Sequence, residues 1–600
     1  MQVIQHAQTK DAYLKLKKIV RKRLISIETL GANEQRLKNK KIRKYPSAGL
    51  RARKDNHRIS SQLLFLISNG ERSLCEIMKP KNFLWLMIVL CHLFTACYGG
   101  RILVLLPLGS KSHKLAVMPV LEALAQRGHN LTIVSGFQSP EKMTNIHEIQ
   151  ITSIDVILEK VVNWYDTEKG DDETQLKTMI TALPNTNTFI YDEMMRNPEF
   201  QSIMLERSVD LVIVDGIVSE LTFPIIEHLR VPFVFHCSSF GPWTTAAIEA
   251  MGTDSDYASI PFPQTGLDDK MTFAQRLTNI RKAQSFHSLR QSHIFDTIDA
   301  YVKKDFPNAR PSGDFMKEAS LVLINSDITT DWPRSLPPTV IPIGAVHARP
   351  AQELPLPLKT FADEAETGFI VFTFGSIIKM TAMPNDSLQT FLNVFSRIPQ
   401  RVVLKWESEF PEDVPSNVMM VNWLPQQDLL GHPNAKIFIT HGGMLGTQEA
   451  IYHAVPLIGL PFGNDQYTNL AMATKQGFGL KIDWEHLSEK LLYDSIVKMI
   501  NEPSFKANAS RLSGLMRDRL VPGTELAVYW IEHVLRHGNT KHLQVSSKYV
   551  PLYQKYLVDV VLFLAVILVV MLTSSYYTVR FLISKCLQRN NPVKSKTKNK

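Results

Sequence analysis

A strand-to-helix corner around His441 has the residue types and spacing best suited to binding an anion. The apolar run Ala435–Thr440 is of β type, His441-Gly442-Gly443 follows it, and a helical pattern covers residues 445–453. Unpaired N–H groups and the dipole at a helix start favour a phosphate. Glycine permits close backbone approach, and histidine adds a hydrogen-bond donor. The sequence therefore predicts a phosphate site, although such corners are common in α/β domains.

The longer stretch 423–466 resembles the signature of the UDP-glycosyltransferases, membrane-bound enzymes that move a sugar from a nucleotide to a small lipophilic acceptor. The matching positions are Trp423, Pro425-Gln426, His432-Pro433, the THGG of 440–443, Glu449, Pro456 and Asp465-Gln466. The residue sequence of the motif is most similar to that of the insect members of the family. The resemblance implies an α/β fold of GT-B architecture, in which two Rossmann-like domains face a cleft and a single C-terminal transmembrane helix follows.

The resemblance also implies a role for each residue of a donor site. The implied roles are uracil stacking for Trp423, a contact with base or ribose for Gln426, diphosphate binding for His441, Gly442, Gly443 and Ser376, ribose binding for Glu449, and sugar binding for Asp465 and Gln466. Without the motif, Trp423 would be read as a core residue and Ser376 as a turn residue. One position departs from the family: Leu445 stands where several members carry asparagine, so one phosphate contact is missing or is supplied by the backbone.

The candidate general base is His113, which follows the predicted strand Arg101–Leu106 and precedes a helix. Ligands of α/β sheets bind at the carboxyl ends of the strands, where this loop lies. Histidine also titrates near neutral pH. Taken alone, His113 would be a surface histidine, one of 18 in the chain. The resemblance implies the catalytic role instead, because the family's base lies in this loop. It also matches Asp215, at the end of strand 210–215, to the aspartate that orients the base; the alternative for Asp215 is a helix N-cap.

The implied reaction is metal-independent, inverting transfer of a hexose to a hydroxyl of a small lipophilic acceptor, with the UDP-sugar as co-substrate and no cofactor. Glucose is the favoured sugar, and UDP-glucuronate is the alternative donor. A non-catalytic, membrane-anchored binder of lipophilic ligands is a second reading. A third is a metal-dependent transferase that uses Asp254-Ser255-Asp256 as a DxD motif; a polar surface turn explains these residues better.

Composition supports a globular protein with an acidic body. Hydrophobic residues make up 44% and charged residues 21% of the 600 residues. The net charge is +10, but residues 1–77 carry +12 and residues 580–600 carry +7, which leaves −9 for the chain between them. A basic nucleic-acid surface is therefore not expected. Of five cysteines, only Cys237 lies in the predicted mature body, so we expect no disulfide.

Two apolar segments predict membrane targeting. Residues 1–77 form a basic leader that we expect to be absent from the mature protein, because Met78 starts a signal peptide covering residues 78–99. The uncharged stretch 560–579 suits one transmembrane helix. The basic residues of the tail 580–600 predict that this tail lies in the cytoplasm. Lys596 and Lys598 resemble a dilysine retrieval signal, which predicts a single-pass type I protein of the endoplasmic reticulum with lumenal catalytic domains. Three sequons suit a glycoprotein.

Domain boundaries follow from the strand pattern and a proline-rich connection. We expect an acceptor-binding Rossmann-like domain over 100–345, a linker over 346–366, a UDP-sugar-binding Rossmann-like domain over 367–523, and a helix and membrane stem over 524–559. The acceptor is expected to be a small apolar molecule with a hydroxyl group, from family analogy alone. A homo-oligomer is left open.

Overall fold

Two parallel β-sheets form the body of the protein in a computed structural model that describes residues 99–153, 172–376 and 378–589. The leader, nearly all of the predicted signal peptide and the dilysine positions lie outside the described residues. The first sheet has seven strands in the order β3-β2-β1-β4-β5-β6-β7, and the second has six in the order β10-β9-β8-β11-β12-β13. Both orders are those of a doubly wound sheet, so the predicted α/β fold is confirmed.

The strands are short and match the apolar runs of the sequence. They are β1 Arg101–Leu106, β2 Asn130–Ser135, β3 Ile146–Gln150, β4 Leu211–Asp215, β5 Phe233–Cys237, β6 Leu321–Ile324, β7 Val340–Pro342, β8 Phe369–Thr373, β9 Arg401–Lys405, β10 Val418–Val421, β11 Ala435–Thr440, β12 Leu457–Gly459 and β13 Gly479–Lys481. The central strands are buried along nearly their whole length, as expected where helices cover both faces of a parallel sheet.

Helices connect the strands and cover the sheets. They are α1 Lys111–Gln126, α2 Asp172–Arg196, α3 Pro198–Glu206, α4 Phe223–Leu229, α5 Pro242–Ala250, α6 Phe273–Leu289, α7 Asp296–Val302, α8 Ser312–Phe315, α9 Leu356–Asp363, α10 Asn385–Phe395, α11 Gln426–Leu430, α12 Met444–Tyr452, α13 Gln466–Lys475, α14 Glu489–Asn501, α15 Pro503–Arg517, α16 Gly523–His537, α17 Leu552–Lys555 and α18 Val558–Arg589. A π-helical turn, Arg290–Phe295, joins α6 to α7.

Two segments predicted to lie outside the two domains pack against their cores. Helix α9 lies inside the interval expected to be a linker, and its Leu358 and Ala362 are buried with Phe369 of the second sheet. Helix α16 follows the second domain in sequence but packs on the first sheet, where Ile531 contributes to the same core as Ile102. The chain therefore crosses between the two halves twice, because apolar side chains of α16 complete the core of the first half.

Helix α18 contains the candidate membrane span. Residues Val558–Leu587 are long and apolar enough to cross a membrane, and none of the most apolar window is buried in the protein. The predicted span over 560–579 lies within this segment, and the helix itself continues through Arg580 to Arg589. A helix has no reason to stop at a basic residue, because arginine and lysine favour helix and can extend their charged ends to the membrane surface.

Candidate active site

The side chains of His113 and Asp215 meet at the carboxyl edge of the first sheet. Strands β1 and β4 are parallel neighbours, so the segment after β1 lies beside the end of β4. His113 was predicted in the loop before the helix, whereas the structure places it in the first turn of α1. The His113 Nδ1 atom lies 2.7 Å from Asp215 Oδ2, and the Asp215 side chain is only 3% exposed. When Nδ1–H donates to the carboxylate, Nε2 carries the lone pair that can accept a proton. The two residues thus have the geometry of a base and its orienting carboxylate.

Glycine at position 109 allows this close pairing. A Cβ atom on Gly109 would lie 3.0 Å from Asp215 Oδ2 and 3.3 Å from His113 Cβ. The second carboxylate oxygen, Asp215 Oδ1, accepts a hydrogen bond from the N–H of Ile217 at 3.3 Å. Both oxygens of Asp215 are therefore engaged, and this arrangement fixes the carboxylate relative to the imidazole. The backbone bond is also of the kind expected in the N-cap reading, so the two proposed roles of Asp215 are compatible.

A second histidine beside this pair was missed by sequence reasoning. His236 is paired in register with Asp215 on the neighbouring strand β5. It is 2% exposed, and its Nε2 atom has no hydrogen-bond partner among the described residues. Burial lowers the pKa of His236 to about 4, so the ring is neutral at physiological pH. Its only sequence signal is its position at the end of an apolar run, which by itself indicates a core residue.

The strand-to-helix corner around His441 forms as the sequence predicts. Strand β11 ends at Thr440, and α12 begins directly after Gly443. The His441 ring lies between two glycines. A Cβ atom on Gly375 would lie 2.8 Å from His441 Cε1, and a Cβ atom on Gly443 would lie 2.5 Å from His441 Nε2. Burial, with a smaller effect of the Lys405 charge, lowers the pKa of His441 to about 4. His441 is therefore a neutral hydrogen-bond donor rather than a cation. The Gly442 N–H makes a long bond of 3.4 Å to Thr440 Oγ1.

The turn after β8 lies next to this corner. Gly375 adopts a φ of +82°, and its carbonyl oxygen accepts a hydrogen bond from Lys405 Nζ at 2.8 Å. Ser376 follows in the turn and lines a cavity of about 790 Å³, together with Lys405 and Trp423 of the second half and Phe137 of the first. The cavity is therefore lined by residues of both halves, and two of them, Ser376 and Trp423, are predicted donor-site residues.

Trp423 is exposed and contacts the first half of the protein. Its side chain is 61% exposed, which rules out the interpretation of a core tryptophan. The Lys111 Nζ atom lies 3.8 Å from the centroid of the Trp423 ring, a cation–π distance. Lys111 is the first residue of α1, the helix that also carries His113. Sequence reasoning did not identify Lys111; the only signal was a basic residue two positions before the candidate base.

Gln426 and Glu449 are linked directly. The Gln426 Nε2 atom donates a hydrogen bond of 2.5 Å to Glu449 Oε2, and His347 Nε2 lies 3.8 Å from Glu449 Oε1. Glu449 is buried, and burial raises the pKa of its carboxyl group to about 7 against the opposing effects of Gln426 and Arg349. Close to neutral pH, this carboxyl group can therefore exist in either protonation state.

Asp465 and Gln466 play different structural parts at the start of α13. Gln466 Oε1 accepts hydrogen bonds from the N–H groups of Phe462 at 2.6 Å and Gly463 at 3.2 Å. Its oxygen holds its own loop, so only the amide nitrogen of Gln466 can serve a sugar. Burial raises the pKa of Asp465, opposed by hydrogen bonds from Asn469 and from Ser239 of the first half, and by the charge of His113. Asp465 thus faces the first half near the candidate base.

The carboxylates of the alternative metal motif are engaged elsewhere. Asp254 Oδ1 accepts a hydrogen bond from Lys555 Nζ at 2.5 Å, and its Oδ2 accepts one from Tyr556 OH at 2.8 Å. Asp256 Oδ1 accepts the N–H of Ala258 at 3.1 Å. These contacts connect a turn of the first half to the segment that precedes α18, which is the role of a structural turn.

The chain is similar in sequence to known proteins over most of its length. A family model described as "UDP-glucoronosyl and UDP-glucosyl transferase" matches residues 100–593. The chain is 31% identical over 506 residues to "UDP-glycosyltransferase UGT5" of Dactylopius coccus, with 82% of this chain and 94% of that protein covered. It is 28% identical over 523 residues to "UDP-glucuronosyltransferase 2B7" of Homo sapiens, with 84% and 96% covered.

Solved structures share the fold. One is described as the glycotransferase of kitacinnamycin, with a TM-score of 0.50, 18% identity, and 72% of this chain and 98% of that chain covered. Another is a complex of a UDP-glucosyltransferase from Polygonum tinctorium, with a TM-score of 0.50, 16% identity, and 73% and 99% covered. At these identities the likeness concerns the fold alone, and it confirms the predicted GT-B architecture.

Proposed function

The chain belongs to the family of UDP-glucuronosyl and UDP-glucosyl transferases, and from this premise we propose that it transfers glucose from UDP-glucose to a hydroxyl group of a small lipophilic acceptor, with inversion and without a metal ion. Membership makes it an enzyme that transfers a sugar from a UDP-sugar to an acceptor. The observation that supports the catalytic mechanism in this proposal is the 2.7 Å contact between His113 Nδ1 and Asp215 Oδ2.

The His113 and Asp215 pair supplies the base. As the acceptor oxygen attacks the anomeric carbon, its proton moves to His113 Nε2, the C–O bond forms, and the bond from the sugar to UDP breaks. Asp215 stabilises the resulting imidazolium and holds the ring in the tautomer that leaves Nε2 able to accept. A single displacement on the face opposite the leaving group inverts the configuration.

The leaving diphosphate requires donors placed where its charge develops. His441, neutral because burial lowers its pKa to about 4, can donate an N–H to a phosphate oxygen. Ser376 and Lys405 line the cavity beside Trp423 and can add a hydroxyl and a cation. Fixed donors of this kind stabilise a developing anion without reorganisation, which is the part a metal ion plays in other transferases.

The proposal of glucose as the sugar rests on the name of one insect relative. One relative named as a UDP-glucosyltransferase comes from Dactylopius coccus, and the chain is 32% identical to it over 481 residues. UDP-glucuronate is the alternative, supported by the human relative. The acceptor is proposed to be a phenol or a similar apolar molecule with a hydroxyl group, as expected for a conjugation reaction.

The proposed location is the membrane of the endoplasmic reticulum, in a single-pass type I orientation with both sheets in the lumen. The candidate span in α18 supports membrane attachment. The seven basic residues within 580–600 support a cytoplasmic tail.

The test uses membranes that carry the full chain or a chain started at Met78. UDP release and glycoside formation are measured from UDP-glucose and UDP-glucuronate with a panel of phenols, with and without EDTA. His113→Ala is compared with His147→Ala, a surface histidine whose side chain is 61% exposed. We expect turnover of UDP-glucose that survives EDTA, is lost in His113→Ala and is retained in His147→Ala.

Each other result contradicts one part of the proposal. Turnover that persists in His113→Ala would remove the base assignment, and loss in EDTA that added metal restores would remove the metal-free mechanism. A preference for UDP-glucuronate would replace the donor. Binding of UDP without turnover of either donor would favour the non-catalytic binder.

A further inference from the structure

One buried amide connects the two loops assigned to different parts of the donor. Asn469 lies one turn after Asp465 in α13 and is 2% exposed. Its Nδ2 atom donates to the Gly442 carbonyl oxygen at 2.9 Å and to Asp465 Oδ2 at 3.1 Å. Gly442 belongs to the phosphate corner after β11, whereas Asp465 belongs to the loop after β12. A single –NH₂ group thus uses both hydrogens to hold the two loops in one arrangement.

The conformation of Gly442 makes this link specific. Gly442 adopts a φ of +82°, which glycine tolerates and other residues rarely adopt. A Cβ atom at this position would lie 2.6 Å from Leu470 Cγ, so the residue after Asn469 also packs against the corner. The first turns of α13 therefore hold Gly442 through both an amide and an apolar contact.

The same amide acts on Asp465. This carboxyl group is buried, which raises its pKa, and the hydrogen bond from Asn469 opposes that effect. A buried carboxylate without a donor is costly, so loss of the amide would favour the protonated form or another side-chain position. The Asn469 amide therefore favours the ionised form of Asp465 and fixes the position of its side chain.

We propose that Asn469 is a positioning residue for sugar transfer, which fixes Asp465 relative to the His441–Gly443 corner so that the sugar and the diphosphate are held together. This inference rests on the proposed donor site. It predicts a specific pattern: substitution of Asn469 should affect ligands that carry the sugar more than UDP. Gly442 in the corner keeps its packing against Leu470, whereas Asp465 loses the amide that positions it.

The main test compares UDP-glucose with UDP in Asn469→Asp and Asn469→Ala. The introduced carboxylate would face the Gly442 carbonyl and the Asp465 carboxylate, both acceptors. Because hydrogen bonds to charged groups contribute about tenfold to a hundredfold in affinity, we expect kcat/KM for UDP-glucose to fall by that factor at pH 7.5. The Kd of UDP from calorimetry should change less than about threefold.

The pH dependence separates positioning from simple loss of structure. Below the pKa of the introduced carboxyl group, its protonated form can donate one hydrogen bond, so Asn469→Asp should recover part of its activity as the pH falls towards 5.5, relative to the wild type. Asn469→Ala cannot recover in this way. The alanine variant also keeps the test valid if the aspartate variant does not fold.

Asn417 provides a matched control. Its Nδ2 atom also bridges carbonyl oxygens in the second half, those of Phe395 at 2.8 Å and Gln400 at 2.8 Å, but away from the donor residues. Asn417→Asp should lower the thermal midpoint without changing the ratio of UDP-glucose to UDP affinity. An equal loss of both ligands in the Asn469 variants, or a ratio that matches Asn417→Asp, would overturn the inference. Failure of the proposed function differs from this result, since the wild-type chain itself would then show no transfer.

Discussion

Lys111 Nζ lies 3.8 Å from the centroid of the Trp423 ring, so the helix that carries the candidate base also contacts the ring assigned to uracil. A uracil ring that stacked on this face of Trp423 would displace the ammonium group. Under the proposed function, donor binding would then be coupled to the position of α1 through Lys111.

Removal of the Lys111 cation should strengthen the binding of uridine. Cation–π contacts at exposed sites contribute about 0.5–1 kcal/mol, which corresponds to about a twofold to fivefold change in Kd. We expect Lys111→Met to tighten uridine binding by that factor in calorimetry. Uridine is the right probe, because the phosphates of UDP would be attracted to the ammonium group. Lys490→Met, at a side chain that is 86% exposed, is the control, and weaker uridine binding in Lys111→Met would refute the competition.

Loss of the Asp215 carboxylate should lower turnover while leaving the donor bound. In Asp215→Asn the shape is retained, but the amide can no longer stabilise the imidazolium or select the tautomer of His113. We expect kcat to fall by about 10²–10⁴, with the Kd of UDP nearly unchanged. Initial rates at saturating UDP-glucose measure the effect. A variant with full kcat would show that the 2.7 Å contact has only a structural role.

Glu449 should make the stability of the protein depend on pH. Because its pKa is raised from 4.5 to about 7 in the folded state, the unfolded state loses this proton first as the pH rises. The contribution to stability is complete below pH 4.5 and is lost as the pH rises through about 7, by up to about 3 kcal/mol. Glu449→Gln should not lose this stability at high pH, because glutamine does not titrate.

The thermal midpoint of Glu449→Gln should therefore exceed that of the wild type at pH 8 and match it near pH 4.5. The difference between the two proteins is the useful quantity, because buried neutral histidines such as His347 and His441, whose pKa values are lowered to about 4, shift stability with pH in the opposite sense. A difference that does not change with pH would show that the carboxyl group titrates normally.

The buried ion pair of the first half should be costly to break. Arg290 Nη2 lies 2.7 Å from Glu220 Oε1, with side chains only 7% and 1% exposed. Arg290→Met leaves the carboxylate buried without its partner, and we expect a loss of about 3–5 kcal/mol in the free energy of unfolding. Arg101→Met, at a pair whose side chains are 53% and 39% exposed, should cost less than about 1 kcal/mol. Thermal unfolding in detergent compares the two, and equal losses would contradict the expectation.

Local chemistry was readable from the sequence where neighbouring residues create it. The apolar run, the histidine and the two glycines of 435–443 determine a strand, a corner and a helix start within a few residues, and the structure shows all three. The same holds for the strands of both sheets, because continuous apolar runs of this length suit buried parallel strands.

Contacts between distant residues were decided by the tertiary structure. His113 and Asp215 are 102 positions apart, and they meet only because β1 and β4 are neighbours in the sheet. Without a family resemblance, nothing in the sequence distinguishes His113 from a surface histidine. The return of α16 to the first half depends in the same way on which apolar surface remains uncovered once the sheets have formed.

The finer assignments were decided by side-chain geometry. Sequence and family resemblance assign Gln466 to the sugar, whereas the fold uses its oxygen to hold residues 462 and 463. Asn469 lies outside the recognised stretch, yet its amide connects Gly442 with Asp465. A sequence specifies which donors and acceptors exist and which elements carry them. Which of these groups pair is set by the packing of elements far apart in the chain, because a hydrogen bond requires a distance of about 3 Å.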